Sequence, residues 1–257
     1  MNSILDIAKI ISTEKDDVAI CIIISTKGST PRKIGAKMIV TKSGKIYGTI
    51  GGGALEEKVI INALQVIDNK SASVFKHDLL HQHNMCCGGN VEIYIEPIMR
   101  KNKLYIFGAG HTGKFLAKYS LDADFEVVLI DDRKSYLDEI LLNDINKMNL
   151  DFENALKLLP FDHRTYIAIM TYDHAIDRQI LANCMHKPHA YIGMIGSLRK
   201  VELTKKKFIE AKLATPEQLA KIDMPIGIDI HSESPQEIAI SIIATLIKIK
   251  NDKNDDK

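Results

Sequence analysis

The 257-residue sequence has no excess of one charge, no long apolar run and few cysteines, and each absence excludes something. With 34 Lys and Arg against 33 Asp and Glu, the formal net charge is +1, which leaves no footprint for nucleic acid or an anionic membrane surface. Apolar runs such as Ala19–Ile24 fall far short of the ~18 residues that span a bilayer. Met1–Lys15 carries Asp6, Glu14 and Lys15 without a basic stretch before an apolar one, so no secretory leader is expected and the cytoplasm is the expected compartment. Cys21, Cys86, Cys87 and Cys184 lack regular spacing and make no disulfide framework in a chain this large. There is no internal repeat, no low-complexity block, no Ser/His/Asp order, no P-loop and no paired-carboxylate pattern. Hydrophobic residues at 46% and charged residues at 26% lie near globular averages and exclude wholesale disorder.

What is present divides near residue 100. Pro97 closes one strand, and Arg100-Lys101-Asn102-Lys103 makes a basic link before the next apolar run. Residues 1–100 predict a small α/β or α+β domain. Its strands are expected at Val18–Ser25, Ala36–Thr41, Lys45–Ile50, Ser73–His77 and Val91–Ile95, with a helix over Ala54–Ile67. Residues 101–250 change rhythm to strand, glycine loop, helix, strand, which predicts a Rossmann-like parallel sheet. Its strands are expected at Lys103–Phe107, Phe125–Ile130, Tyr166–Met170 and Ala190–Met194. Thr215-Pro216-Glu217-Gln218 and Ser234-Pro235-Gln236-Glu237 both carry capping-box signals for helix starts. Residues 251–257 form a charged tail.

The strongest local motif is Gly108-x-Gly110-x-x-Gly113, directly after a strand and opening a helix. Such a loop lets backbone approach a pyrophosphate at the positive end of the helix dipole. Asp131, ending the next strand, is placed to accept hydrogen bonds from ribose hydroxyls, which favours NAD, whereas Arg133 and Lys134 suit the 2′-phosphate of NADP. The alternative is a fold whose glycines serve packing alone. Lys27-Gly28-Ser29-Thr30-Pro31-Arg32-Lys33 is a second candidate. Ser29, Arg32 and Lys33 in a proline-fixed loop suit an oxyanion, and Gly51-Gly52-Gly53 opens a helix with backbone donors of the kind anions use. A solvated basic turn and a glycine hinge are the bland alternatives.

His77, His81 and His83 precede Cys86-Cys87-Gly88-Gly89. Soft and imidazole ligands this dense raise a metal site, but no Cys-x2-Cys pair is present and adjacent cysteines rarely share one tetrahedral ion. A reactive or sulfur-handling thiol suits surroundings that favour thiolate. Cys21 and Cys184 read as small buried residues. Thr171-Tyr172-Asp173-His174-x-x-Asp177 follows a strand of the parallel sheet, where open α/β sheets bind ligands. Asp173 and His174 form either an acid/base pair or a helix cap followed by an exposed histidine. Gly196 and Ser197, ahead of Arg199 and Lys200, repeat the strand-to-glycine-to-basic-helix pattern and join the same crevice.

Taken in order, these strings resemble the XdhC/CoxI family, accessory factors for molybdenum hydroxylases such as xanthine dehydrogenase. The first half contributes Gly28–Arg32, Gly35–Met38, Gly51–Glu56 and Cys87–Gly89. The second contributes Gly108–Gly113, Asp131–Arg133, Tyr191–Ser197 and Pro225–Ile230. The resemblance implies a protein that binds molybdenum cofactor (molybdopterin), assists its sulfuration and inserts it into a xanthine dehydrogenase-type apoenzyme, acting as a chaperone. It implies a cysteine near the metal. The family often has a cysteine directly after its glycine triplet, where this chain has Ala54, so the metal-facing and catalytic role falls on Cys87. It also implies a sulfur or selenium donor, such as a cysteine desulfurase, as a partner; a homodimer is left open. The alternative is an NAD(P)-dependent oxidoreductase whose N-terminal domain binds substrate, and absorbance at 340 nm with NADH and carbonyl compounds separates the two.

Overall fold

A computed structural model describes residues 4–14, 16–80 and 88–252. The chain separates into two compact units, Met1–Arg100 and Lys101–Lys257. Among the described residues no helix is long and apolar enough to cross a membrane.

The first unit runs α1 (Ile4–Thr13), β1 (Val18–Lys27), β2 (Lys37–Thr41), β3 (Ile46–Gly48), α2 (Gly53–Asn69), β4 (Ser73–Asp78) and β5 (Asn90–Ile98). Its strands form one sheet in the order β3-β2-β1-β5-β4, with every pairing antiparallel. Alternation along β1 decides which side chains face which helix. Ala19, Cys21 and Ile23 point to the face covered by α2, where Leu55, Val59, Ala63, Val66 and Ile67 complete a core. Val18 packs on the opposite face with Ile39 and with Ile7 of α1. After Ile23 the β1–β5 register shifts, an irregularity placed just ahead of the Lys27–Lys33 loop. Cys21 is a buried thiol, as expected, and burial pushes its pKa up to about 12.

The second unit runs β6 (Asn102–Phe107), α3 (His111–Asp122), β7 (Phe125–Ile130), α4 (Lys134–Asp138), β8 (Asn146–Met148), α5 (Phe152–Leu158), β9 (Thr165–Ile169), α6 (His174–Cys184), β10 (Tyr191–Met194), α7 (Leu198–Glu210), α8 (Pro216–Leu219) and α9 (Pro235–Asp252). The sheet is wholly parallel in the order β10-β9-β6-β7-β8. Helices cover both faces, so the central strands read as unbroken apolar runs. Leu116 and Ala117 of α3 pack with Ala239, Ile242 and Leu246 of α9 on one face. Phe152, Leu156, Ile180, Leu181 and Phe208 cover the other. The expected fold class, a small α/β (α+β) domain followed by a Rossmann-like sheet, is the one observed. Chain order reverses between β6 and β9, and this switch point opens the crevice where such sheets take ligands.

Candidate functional site

In the first unit, three loops that lie far apart in sequence meet at one end of the sheet. Ser29 pairs with Gly88 in an isolated bridge. Gly89 is packed so tightly there that a Cβ would lie 2.3 Å from the Ser29 carbonyl oxygen and 2.7 Å from that of Lys27. Gly51 abuts the same loop, since a Cβ on it would lie 2.9 Å from Pro31 Cγ. The Gly89 carbonyl accepts from the Leu79 N–H at 2.9 Å, which ties the end of β4 to the cluster. Lys27, Ser29, Arg32 and Lys33 are exposed around this junction. The Thr30 hydroxyl donates to the Arg32 carbonyl at 3.0 Å and fixes the turn that presents the arginine.

The glycine triplet is not the open set of donors expected. Oε1 of Glu56, in the first turn of α2, accepts from the N–H groups of Ile50 at 3.0 Å, Gly51 at 3.2 Å and Gly52 at 2.8 Å. It also accepts from the Thr49 hydroxyl at 2.5 Å. The chain therefore seats its own carboxylate where an outside anion was expected. Burial works against that charge, but Thr49 and the N–H groups of Gly52, Ile50 and Gly51 outweigh it and hold the carboxyl below its usual range. Gly51, Gly52 and Gly53 all have positive φ, at 141°, 80° and 61°, and this left-handed run aims successive N–H groups at one oxygen.

A groove of about 710 Å³ begins at Ala54, directly after the triplet, and runs between α2 and β4 past Asn62, Phe75 and His77. Lys58 and Lys76 also line it. Asn62 is 8% exposed, and its Oδ1 has no hydrogen-bond partner among the described residues. Cys87, with Cys86, His81 and His83, lies outside the described residues. Among the described residues, no group of His, Cys, Asp and Glu is placed to hold a metal.

In the second unit the Gly108–Gly113 loop has the geometry its spacing demands. Gly108, at φ 115°, sits where a Cβ would lie 2.2 Å from the Met170 carbonyl oxygen and 3.0 Å from Thr171 Cα. The loop and the end of β9 thus share one crevice. A Cβ at Gly110 would meet no atom within 4 Å, so the loop is open on that side.

Of the two readings of Asp173, the helix cap is the one observed: it is the N-cap of α6, accepting from the Ala175 N–H at 2.6 Å, and it is not paired with His174. The partner of His174 is instead Asp177, with Nδ1 3.1 Å from Oδ2, because i and i+3 share a helix face. Asp177 is fully buried and accepts at Oδ1 from the Thr171 N–H at 2.8 Å and its hydroxyl at 2.7 Å. Burial pushes this carboxyl above its usual range, and the Thr171 hydroxyl, the Thr171 N–H and His174 offset part of the rise. Lys200, three residues beyond Ser197, reaches His174 Nε2. An ammonium only donates, so Nε2 accepts and Nδ1 carries the proton given to Asp177. Sequence reasoning missed this Lys200–His174–Asp177 chain, although Gly196 and Ser197 mark the turn that delivers the lysine.

Asp131 is also fully engaged. It is 0% exposed and accepts from the Ala109 N–H at 2.7 Å. Arg133 adds its N–H at 2.9 Å, Nε at 2.9 Å and Nη2 at 2.8 Å. Burial works against the charge, but the Arg133 guanidinium and the two backbone donors hold the carboxyl below its usual range.

The XdhC Rossmann domain family model matches residues 104–246, and the XdhC and CoxI family model matches residues 12–78. A protein named uncharacterized protein YqeB, from Escherichia coli strain K12, is 31% identical over 98% of the chain. The chain spans about half of that relative's length, 47%. A Bacillus subtilis strain 168 protein, named as a probable xanthine dehydrogenase subunit, is 19% identical over 92% of the chain and 94% of its own length. Among solved structures, one described as a xanthine dehydrogenase from Bacillus halodurans has a TM-score of 0.54 at 20% identity, covering 98% of this chain and 96% of its own. That last likeness concerns the fold.

Proposed function

We propose that this chain, which belongs to the XdhC family, serves the maturation of a xanthine dehydrogenase-type molybdenum hydroxylase by holding its molybdenum cofactor as cargo on the first unit. The observation that carries the reading is the meeting of the Ser29–Lys33 loop, the Gly51–Gly53 turn and Gly88-Gly89 at one end of a single sheet. Exposed Arg32 and Lys33 suit the phosphate of a pterin cofactor, Arg32 through a bidentate guanidinium. The adjoining groove lies in the size range of small-molecule sites, and the Asn62 Oδ1 is a spare acceptor for a ring N–H. Cys87 directly precedes Gly88, so in sequence it is one residue from the junction, and we assign it the handling of the metal's terminal sulfur or selenium. A sulfur donor and the apoenzyme are then the partners, and no steady-state turnover is assigned to the chain itself.

Arg32→Ala is expected to weaken cofactor binding by about 1–3 kcal/mol, the range of a charge-assisted contact, in a fluorescence titration of the pterin. Unchanged affinity removes Arg32 from the site. Cys87→Ser is expected to retain the fold and bind cofactor, yet fail to activate a molybdenum hydroxylase apoenzyme. The test of the reading as a whole is reconstitution of apoenzyme with cofactor, with and without the chain. A rise in hydroxylase activity that needs Cys87 supports it, and activation equal in the chain's absence overturns it.

A further inference from the structure

The glycine loop and the acidic residue closing β7 imply a dinucleotide, and the side chains there do not fit one. A ribose diol is recognised in such folds by free lone pairs on the carboxylate that ends the second strand. A carboxylate has about four lone-pair sites. At Asp131 four N–H donors occupy them, one from Ala109 and three from Arg133. The fork that fills them is itself held. The Arg133 guanidinium lies 3.9 Å from the ring centroid of Tyr136 and 4.3 Å from that of Tyr172. Tyr172 donates to Asp132 at 2.8 Å, and Asn149 Nδ2 donates to the Asp131 and Asp132 carbonyls at 3.0 and 3.1 Å. The turn after β7 is thereby closed by side chains from three separate segments.

We propose that Arg133 is a specificity-determining residue that seals Asp131 against ribose diols, so that this Rossmann unit rejects NAD-type dinucleotides. The Nε–Nη2 edge of its guanidinium, the edge that would grip the 2′-phosphate of NADP bidentately, is likewise spent on Asp131. The inference goes beyond the cargo role proposed for the first unit and stands or falls without it. It also removes the basis of the oxidoreductase alternative, which needs a nicotinamide cofactor bound here.

The test is titration of the full chain with NADH, NADPH and ADP, read by nucleotide fluorescence or calorimetry. The wild-type chain is expected to show no saturation up to about 1 mM, the weak end of ordinary ligand affinities. Arg133→Ala is expected to gain about 10- to 100-fold in affinity for ADP and NADH, the span of one charge-assisted hydrogen bond returned to ligand. Arg133→Met, which keeps an aliphatic stem between the two rings, provides a second variant less prone to misfold, and circular dichroism reports the fold of both. The gain must vanish with 2′-deoxy-ADP, a discrimination that a general loosening of the turn does not produce. Saturation of the wild-type chain by NADH or NADPH overturns the proposal, as does a folded variant that remains blind to ADP or gains equally for the deoxynucleotide.

Discussion

Gly113→Ala is expected to abolish cooperative folding of the second unit, at a cost of more than about 4 kcal/mol, in the range reserved for severe core lesions. An added Cβ would lie 1.9 Å from the Gly108 carbonyl oxygen and 3.1 Å from its carbonyl carbon. Both partners are main chain, so no flexible side chain can swing aside. Relief requires α3 to lift from the end of β6, which opens the core that Leu116 and Ala117 share with α9. Gly110→Ala is the control, because nothing stands within 4 Å of its built Cβ and its φ is −65°. There the cost is that of a poorer N-cap, about 0.5–1 kcal/mol. Denaturant unfolding of the two variants separates them, and equal stability of the pair would contradict the described loop geometry.

Glu56→Ala is expected to destabilise the first unit by about 2–4 kcal/mol, since one oxygen satisfies the Thr49 hydroxyl and the N–H groups of Ile50, Gly51 and Gly52. The bonds are not additive, so the figure lies below the sum of separate charged contacts. Adding acetate or formate is expected to restore part of the loss by returning a carboxylate to the vacated donors. The pH dependence follows from the lowered folded-state pKa. The contribution of Glu56 is fully present above the unfolded glutamate value, about 4.3. It is lost as pH falls through the folded-state value. The wild-type chain therefore loses more stability on acidification than Glu56→Ala does. Parallel losses in the two proteins would show that the carboxylate does not hold the turn.

Much of the fold is legible in the sequence because the deciding signals are local. β6, β7 and β9 stand as apolar runs bounded by turns, and the Thr215/Gln218 capping box forms as its spacing predicts. Ser234 and Glu237 exchange the bonds of a second box, the Ser234 N–H donating to Glu237 at 2.9 Å. α5 is not announced by its sequence, although Asp151 caps it by accepting from the Asn154 N–H at 2.9 Å, because its seven residues hold too little period to stand out. β8 has three residues, Asn146–Met148, and owes its strand geometry to pairing with β7 instead of to its own composition.

The site is legible as a set of loops and illegible as a set of contacts. Glycine spacing locates the turns at Gly28, Gly51–Gly53, Gly88-Gly89 and Gly108–Gly113, because left-handed backbone and close approach select glycine. What fills those turns depends on side chains returning from elsewhere, and no spacing rule announces it. Glu56 seats itself in the triplet from the next helix turn, Arg133 doubles back on Asp131, and Lys200 crosses to His174 from 26 residues away. In each case a residue that reads as a free ligand group is already satisfied by the protein. Arg32 and Lys33 remain exposed, which is why the proposed cargo site rests on them.

The most direct test of the cargo reading is anaerobic incubation of the full chain with molybdenum cofactor, followed by gel filtration with molybdenum and pterin fluorescence read on the protein peak. Co-elution in stoichiometric amount, lost or reduced in Arg32→Ala and retained in Arg133→Ala, is the result predicted here. A folded chain that elutes free of molybdenum and pterin while the cofactor stays intact would contradict it.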